Sequence, residues 1–253
     1  MNKYSYYFST LFMLLFISIQ SGEVYGRVDF ILPGLFLDSL SVRESCSVRY
    51  LVVNEAFGEK DSTELMIDYD PHSGDLPEIR ILSMPLAGGQ EDTFLVRISF
   101  KRLPENIHSP DEFRDCIEEI LFKSGDQPLR HPTEEELKKV GFNELFSKPG
   151  FNEGPVSMKG ELVKTSLGDF KCKVREFKRV TKKKVRLGGI DALKMDEIHV
   201  TLWKSVEIPI FNLVKSRIER RRIIKPAGPG DFEISKPRVT VTTAYIIGYK
   251  RGH

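Results

Sequence analysis

The sequence has 253 residues, of which 40% are hydrophobic and 29% are charged. Its three cysteines form no C-x-x-C pair, and their odd number excludes complete pairing within one chain. The formal net charge is only +2, but residues 27–150 carry 14 Lys and Arg against 24 Asp and Glu, whereas residues 151–253 carry 23 against 11. This asymmetry indicates two lobes that attract each other or one polarised surface, and it names no partner.

The first 26 residues have the layout of a secretory signal peptide, with Lys3, an apolar run over about 11–19, and a polar stretch that ends in small residues. The apolar run is shorter than the roughly 20 residues that span a bilayer. We expect cleavage after Gly26 or a few residues earlier, and an uncleaved anchor is the alternative. About 227 residues then remain, enough for one large β domain or two small ones. We predict an exported chain, periplasmic or secreted, with a single β-rich domain over 27–253 and no later membrane-spanning segment.

Alternation of apolar and polar residues predicts four strands between residues 46 and 100. The breaks between them are rich in Gly, Asp and Pro, as turns are. We therefore expect a four-stranded antiparallel meander with one buried face. The inward positions are Cys46, Val48, Tyr50 and Val52; Leu65, Ile67 and Tyr69; Ile79 and Ile81; and Phe94, Val96, Ile98 and Phe100.

Two amphipathic helices are predicted in an insert over about 109–141. The first has Ser109 as its cap, Pro110 at its first helical position and Glu112 three residues after the cap, which makes a capping box, and it ends at Gly125. The second begins at Thr133 and ends at Gly141. The apolar stripe of the first helix is Phe113, Cys116, Ile117, Ile120 and Leu121.

Period-two alternation returns in the basic half of the chain. Phe170, Cys172 and Val174 share one face of the segment "GDFKCKVREF", so the lysines between them lie on the solvent face. The segment "TKKK" is expected at the tip of the next hairpin. Another strand has Ile198, Val200 and Leu202 on one face. The last strand is apolar on both faces, which predicts a central or doubly covered position.

Signatures of catalysis and cofactor binding are absent from the sequence. It contains no G-x-x-x-x-G-K-[ST], G-x-G-x-x-G or H-E-x-x-H motif, and its five histidines lack metal-ligand spacing. Cys172 has Lys171 and Lys173 as neighbours, but in a strand they point to the opposite face and would lower its pKa little. We therefore predict a protein that is not an enzyme, with no catalytic residue, metal or cofactor. The cysteines are expected as buried apolar residues, with one disulfide and one free thiol as the alternative.

Two basic clusters remain to be explained. The first is Lys182, Lys183 and Lys184, and the second is Arg220, Arg221 and Arg222. Nucleic acid is not expected as a partner, because an exported protein rarely meets it. Anionic lipid head groups or acidic polysaccharides are more accessible, and each Lys or Arg near an anionic membrane contributes about 1 kcal/mol. The alternative is that these charges only solvate a strand.

The motif Gly168, Phe170, Cys172 is followed by Trp203, Ser205, Ile208, Pro209, Val214 and Lys215. This pattern resembles uncharacterised exported bacterial β-rich proteins with a G-x-F-x-C strand and a W-x-S-x-x-I-P…V-K motif. The resemblance covers about fifty residues. It implies an open, curved antiparallel sheet with helices across its mouth, distantly similar to the periplasmic lipoprotein carriers. It brings no catalytic residues, and the basic linker between the two strands departs from the pattern.

We therefore expect a mainly β (α+β) fold, with a curved antiparallel sheet or half-barrel and two amphipathic helices packed on or across it. The first hypothesis for function is a binding or carrier protein for an apolar or amphipathic cell-envelope component, with lipid as a possible ligand. Its candidate ligand-binding residues are Phe113, Ile117, Ile120, Leu121 and Trp203. The alternative is a structural or adaptor protein whose basic half docks on an anionic envelope surface or a partner protein. In both hypotheses the two basic clusters are the candidate anion or partner surface.

Overall fold

The computed structural model describes residues 44–72, 76–86, 93–102, 115–133, 157–187, 190–226 and 237–251. About three quarters of them, 77%, lie in β-strands. The strands are β1 (Cys46–Ala56), β2 (Glu59–Asp70), β3 (Glu78–Pro85), β4 (Phe94–Phe100), β5 (Ile117–Ser124), β6 (Ser157–Thr165), β7 (Gly168–Leu187), β8 (Ile190–Lys204), β9 (Leu213–Pro226) and β10 (Arg238–Arg251).

The ten strands form one antiparallel sheet in the order β5-β4-β3-β2-β1-β10-β9-β8-β7-β6. The first and last strands pair at its centre, so the predicted central position of the final strand is confirmed. We call β1–β5 the N-terminal wing and β6–β10 the C-terminal wing. Cα atoms of β6 approach those of β10 within 8 Å, although four strand spacings in a flat sheet would separate them by about 19 Å. The C-terminal wing is therefore strongly curled.

One face of the sheet, which we call the inner face, carries most of the core. Antiparallel register aligns the apolar positions of neighbouring strands, so that Val48 lies opposite Ile67, and Ile67 lies opposite Ile81. All three side chains are at most 1% exposed. The predicted inward positions of β1 to β4 are confirmed, because period two is a local property that each strand keeps whatever its partner. We call the opposite face the outer face.

Tyr50 ties the two wings together. Its hydroxyl donates a hydrogen bond of 3.0 Å to the carbonyl oxygen of Leu213, which begins β9. Strand β10 lies between the two residues, and its register with β1 shifts between Arg49 and Tyr50. Burial raises the pKa of the Tyr50 hydroxyl above its ordinary value. Tyr50 is thus both a core residue and a cross-link over the neighbouring strand.

The prediction of two packed helices is wrong for the described part of the chain. Asp115 and Cys116 are helical, but the next residues form β5, which pairs with β4. Phe113 and residues 134–141 of the second predicted helix lie outside the described residues. Residues 117–124 fit either period, because their apolar side chains recur at both helical and strand spacing. Pairing with the edge of β4 selects the strand over the helix. It buries Phe122, which is not part of the predicted helical stripe, against Phe94, and the two ring centroids lie 5.9 Å apart.

The expected hairpin tip is also wrong. Strand β7 continues to Leu187 and β8 begins at Ile190, so the three lysines lie within β7 and not in a turn. The segment interpreted as a basic linker is the paired length of these two strands, in which Lys183 lies opposite Lys194. The ladder with β8 holds this charged part of β7 on one edge, because β6 pairs only with residues 168–176 of the strand.

Candidate binding surface

Strand geometry divides each basic cluster between the two faces of the sheet. Successive side chains of a strand point to opposite faces. Lys182 and Lys184 therefore lie on the outer face, and Lys183 lies on the inner face. Arg221 shares the outer face with Lys182, because both align with the outer positions of β8, whereas Arg220 and Arg222 lie on the inner face. The six residues do not form one surface.

Acidic residues of β8 neutralise much of the arginine cluster. Nε of Arg222 lies 2.7 Å from Oδ1 of Asp196, and both side chains are 21% exposed. Nζ of Lys194 lies 3.6 Å from the other carboxylate oxygen of Asp196. On the outer face, Arg221 lies 4.0 Å from Glu197. Strand β8 thus places two of its three acids, Asp196 and Glu197, against β9, so the arginines are in part structural.

Exposed lysines without a carboxylate partner among the described residues lie on both faces of β7: Lys171, Lys173 and Lys183 on the inner face, and three more on the outer face. Lys178, Lys182 and Lys184 are exposed there, and Val180 between them is 44% exposed. Within the described ranges none of the three lysines contacts a carboxylate. We call this set of four residues the basic face. Lys182 and Lys184 were predicted from the sequence and Lys178 was not, although alternation continued along β7 places Lys178 on the same face.

The candidate ligand-binding residues are not brought together. Ile117 and Ile120 are partly buried against the core, and Leu121 lies opposite Arg97 on the outer face. Trp203 is on β8, seven strands away from β5 in the sheet order. Phe113 lies outside the described residues. The arrangement therefore does not outline a single apolar ligand site.

Trp203 instead belongs to a polar and aromatic cluster on the outer face. Its Nε1 donates a hydrogen bond of 3.0 Å to Oε2 of Glu161 on β6. Nζ of Lys215 on β9 lies 4.7 Å from the Trp203 ring centroid and 5.4 Å from that of Tyr245 on β10. We call Glu161, Trp203, Lys215 and Tyr245 the aromatic row. No local sequence signal joins these residues, because they come from four strands.

The three cysteines are free and buried, in agreement with the first of the two expectations. Burial raises the pKa of the Cys172 thiol from 9.0 to about 11, with the nearby carboxylates of Glu161 and Glu207 acting in the same direction. Burial likewise raises the pKa of Cys46 to about 12. A thiol with such a pKa is protonated near neutral pH and is a poor nucleophile.

Two absences hold for the described ranges of the chain. No group of three or more His, Cys, Asp or Glu side chains there is placed to hold a metal ion. No helix there is long and apolar enough to cross a membrane.

The comparisons with known proteins identify no family. No family model matches the sequence, and no curated protein matches it. Among solved structures, a DUF1329 family protein from Desulfovibrio piger is 7% identical, with a TM-score of 0.30, over 89% of this chain and 93% of that one. MucB in complex with MucA(peri) is 8% identical, with a TM-score of 0.15, over 83% of this chain and 94% of that one. Both similarities are distant.

Proposed function

We propose that the chain is an exported, non-enzymatic adaptor that docks on an anionic surface of the cell envelope through its basic face. The observation that carries this proposal is the exposure of Lys178, Lys182 and Lys184 on one side of β7, without a carboxylate partner among the described residues. Solvation alone does not require three lysines and no acid at positions 178, 182 and 184 of one face, because acidic side chains would solvate the strand equally well. An anionic partner would relieve the mutual repulsion of the three lysines.

The expected strength follows from the number of lysines. Each contributes about 1 kcal/mol near an anionic surface, so the three together supply roughly 3 kcal/mol. Docking of this kind is weak, reversible and sensitive to salt, because the Debye length falls from about 10 Å at 0.1 M to about 3 Å at 1 M. Val180 adds a small apolar contact at the centre of the face.

Export and the absence of catalysis are parts of the same proposal. The signal-like segment over 1–26 supports a periplasmic or secreted location, where anionic lipids and acidic polysaccharides are accessible. The raised pKa values of Cys46 and Cys172 argue against a thiolate nucleophile.

The carrier hypothesis ranks second. A carrier with its ligand between sheet and helices needs an open apolar concavity. In this structure Ile67, Ile79 and Ile98 on the inner face are 0% exposed, so they offer no accessible apolar surface to a ligand. Extraction of lipid from the purified mature protein, followed by mass spectrometry, tests the carrier hypothesis directly.

The adaptor proposal is tested with a pair of variants of equal charge. K182Q/K184Q removes two lysines from the basic face, and K171Q/K173Q removes two exposed lysines from the other side of the same strand. Binding is measured by sedimentation with vesicles that contain anionic lipid, by retention on an immobilised acidic polysaccharide, and with neutral counterparts of both. We expect K182Q/K184Q to lose binding at low salt to at least one anionic probe, and K171Q/K173Q to keep it. Equal behaviour of the two variants, or no binding to either anionic probe, would refute the proposal.

A further inference from the structure

The outer face offers a second feature, at the other end of β8 from the basic face. We propose that the aromatic row is a binding site for an acidic saccharide, in which Trp203 and Tyr245 stack on sugar rings and Lys215 binds the sugar carboxylate. This inference rests on the proposed docking function and names the chemical class of the anionic partner.

The two rings lie in one line across the strands. Trp203 is aligned with Lys215 on β9, and Lys215 is aligned with Tyr245 on β10. Two strand spacings separate the ring-bearing residues, which is about 10 Å. Tyr245 is 40% exposed, and Trp203 is partly buried. A rigid ladder thus holds two aromatic side chains on one surface with a cation between them.

Lys215 is held in place but keeps its hydrogen-bonding capacity. Its ammonium lies against both rings, an attraction that restrains the flexible side chain. Aromatic faces accept no conventional hydrogen bond, and an ammonium has three donors. Within the described ranges Lys215 contacts no carboxylate and donates no hydrogen bond. It is therefore a positioned cation that an anion can approach.

Glu161 orients the indole of Trp203 from its edge. The hydrogen bond from Nε1 to Oε2 uses the only polar atom of the indole, so the part of the ring that Lys215 and the core leave exposed offers apolar contact. Among the described residues the second carboxylate oxygen, Oε1, accepts no hydrogen bond, and Glu161 is exposed. This oxygen can accept from a ligand hydroxyl.

These groups together match an acidic sugar better than a lipid head group. A pyranose presents an apolar face of C–H groups to an aromatic ring, hydroxyls around its edge, and in uronic acids a carboxylate. The row supplies a partner for each: rings, the oxygen of Glu161, and the ammonium of Lys215. A phosphate head group would use Lys215 alone and leave both rings without a role.

The single tryptophan of the chain makes the site directly observable. Intrinsic fluorescence of the full mature chain reports on Trp203 alone, because no other indole contributes. We expect polygalacturonate oligosaccharides to change its intensity or emission maximum saturably, and neutral malto-oligosaccharides to leave it unchanged. Y245A and K215Q should each weaken this binding about tenfold. Y249A and K250Q, which alter exposed residues of β10 outside the row, should keep wild-type affinity.

Circular dichroism first establishes that each variant is folded, and W203F provides a second test of stacking by retention on immobilised polygalacturonate. Equal loss in Y245A and Y249A would overturn the inference, as would a larger Trp203 response to anionic vesicles or to a single-stranded oligonucleotide than to polygalacturonate. The variant K182Q/K184Q separates the two proposals. If K182Q/K184Q binds every anionic probe normally while Y245A loses the oligosaccharide, the proposal for the basic face is refuted and that for the aromatic row is supported. If K182Q/K184Q loses binding while Y245A keeps the oligosaccharide, the proposal for the aromatic row is refuted and that for the basic face is supported.

Discussion

Glu78 provides the sharpest test of the energetics of this sheet. It begins β3, it is 1% exposed, and its carboxylate contacts Nε of Arg80 and Nε of Arg97. Both arginines lie on the outer face, one on the same strand and one on β4. We predict that E78Q, which keeps the shape and removes the charge, leaves two guanidinium groups without their shared partner.

The magnitude follows from exposure. Breaking a buried ion pair costs about 3–5 kcal/mol when the remaining charge cannot reach water. Here the side chain of Arg80 is 51% exposed and that of Arg97 is 35% exposed, so both can rehydrate in part. We expect a loss of about 2 kcal/mol in the free energy of unfolding, which is roughly 4–8 °C in Tm for a chain of this size.

The assay is urea unfolding of E78Q beside E55Q as a matched control. Glu55 also pairs with a cation, Nζ of Lys60 at 2.7 Å, but the two side chains are 53% and 65% exposed. An exposed pair of this kind contributes less than about 1 kcal/mol. Equal losses in E78Q and E55Q would refute the reasoning. In an R80Q/R97Q background, where Glu78 has lost both partners, E78Q should raise the free energy of unfolding. If E78Q lowers it there as much as in the wild-type chain, the reasoning is also refuted.

The remaining predictions concern a hydrogen bond, two glycines and the thiols. Y50F should lower the free energy of unfolding by about 1 kcal/mol, because the carbonyl of Leu213 loses its donor, and urea unfolding of Y245F, which alters an exposed ring, is the control. G168A should lower the free energy of unfolding by about 1 kcal/mol, because Gly168 has φ 127°. G160A should be nearly neutral, because a Cβ there would meet open space and Gly160 has no positive φ. Similar losses in both variants would contradict the strain argument. The pKa of Cys46 rises from 9.0 to about 12 on folding, and that of Cys172 rises to about 11. The contribution of the two protonated thiols to the free energy of unfolding is therefore complete below pH 9 and is lost as the pH rises from 9 towards 12. The urea midpoint should therefore be lower at pH 10 than at pH 7, and this difference should be smaller in C46A/C172A. An equal difference in that variant would contradict the prediction.

Local alternation predicted a large part of the fold correctly. The inward residues of β1 to β4 could be identified from period two alone, because each strand presents every second side chain to the same face. The strand around Cys172 and the central position of β10 followed in the same way. The error at β5 has a physical cause, since a short apolar run fits either period and only the open edge of β4 selects the strand.

Local sequence patterns predict the alternating strands, the difference in charge between the two halves of the chain, and the position of the thiols on apolar faces. The three-dimensional fold is needed to show that β1 and β10 pair at the centre of the sheet and that each basic cluster is divided between its two faces. It alone brought Glu161, Trp203, Lys215 and Tyr245 together. The physical reason is that periodicity is encoded over a few neighbouring residues, whereas strand order and register depend on contacts between residues far apart in the chain.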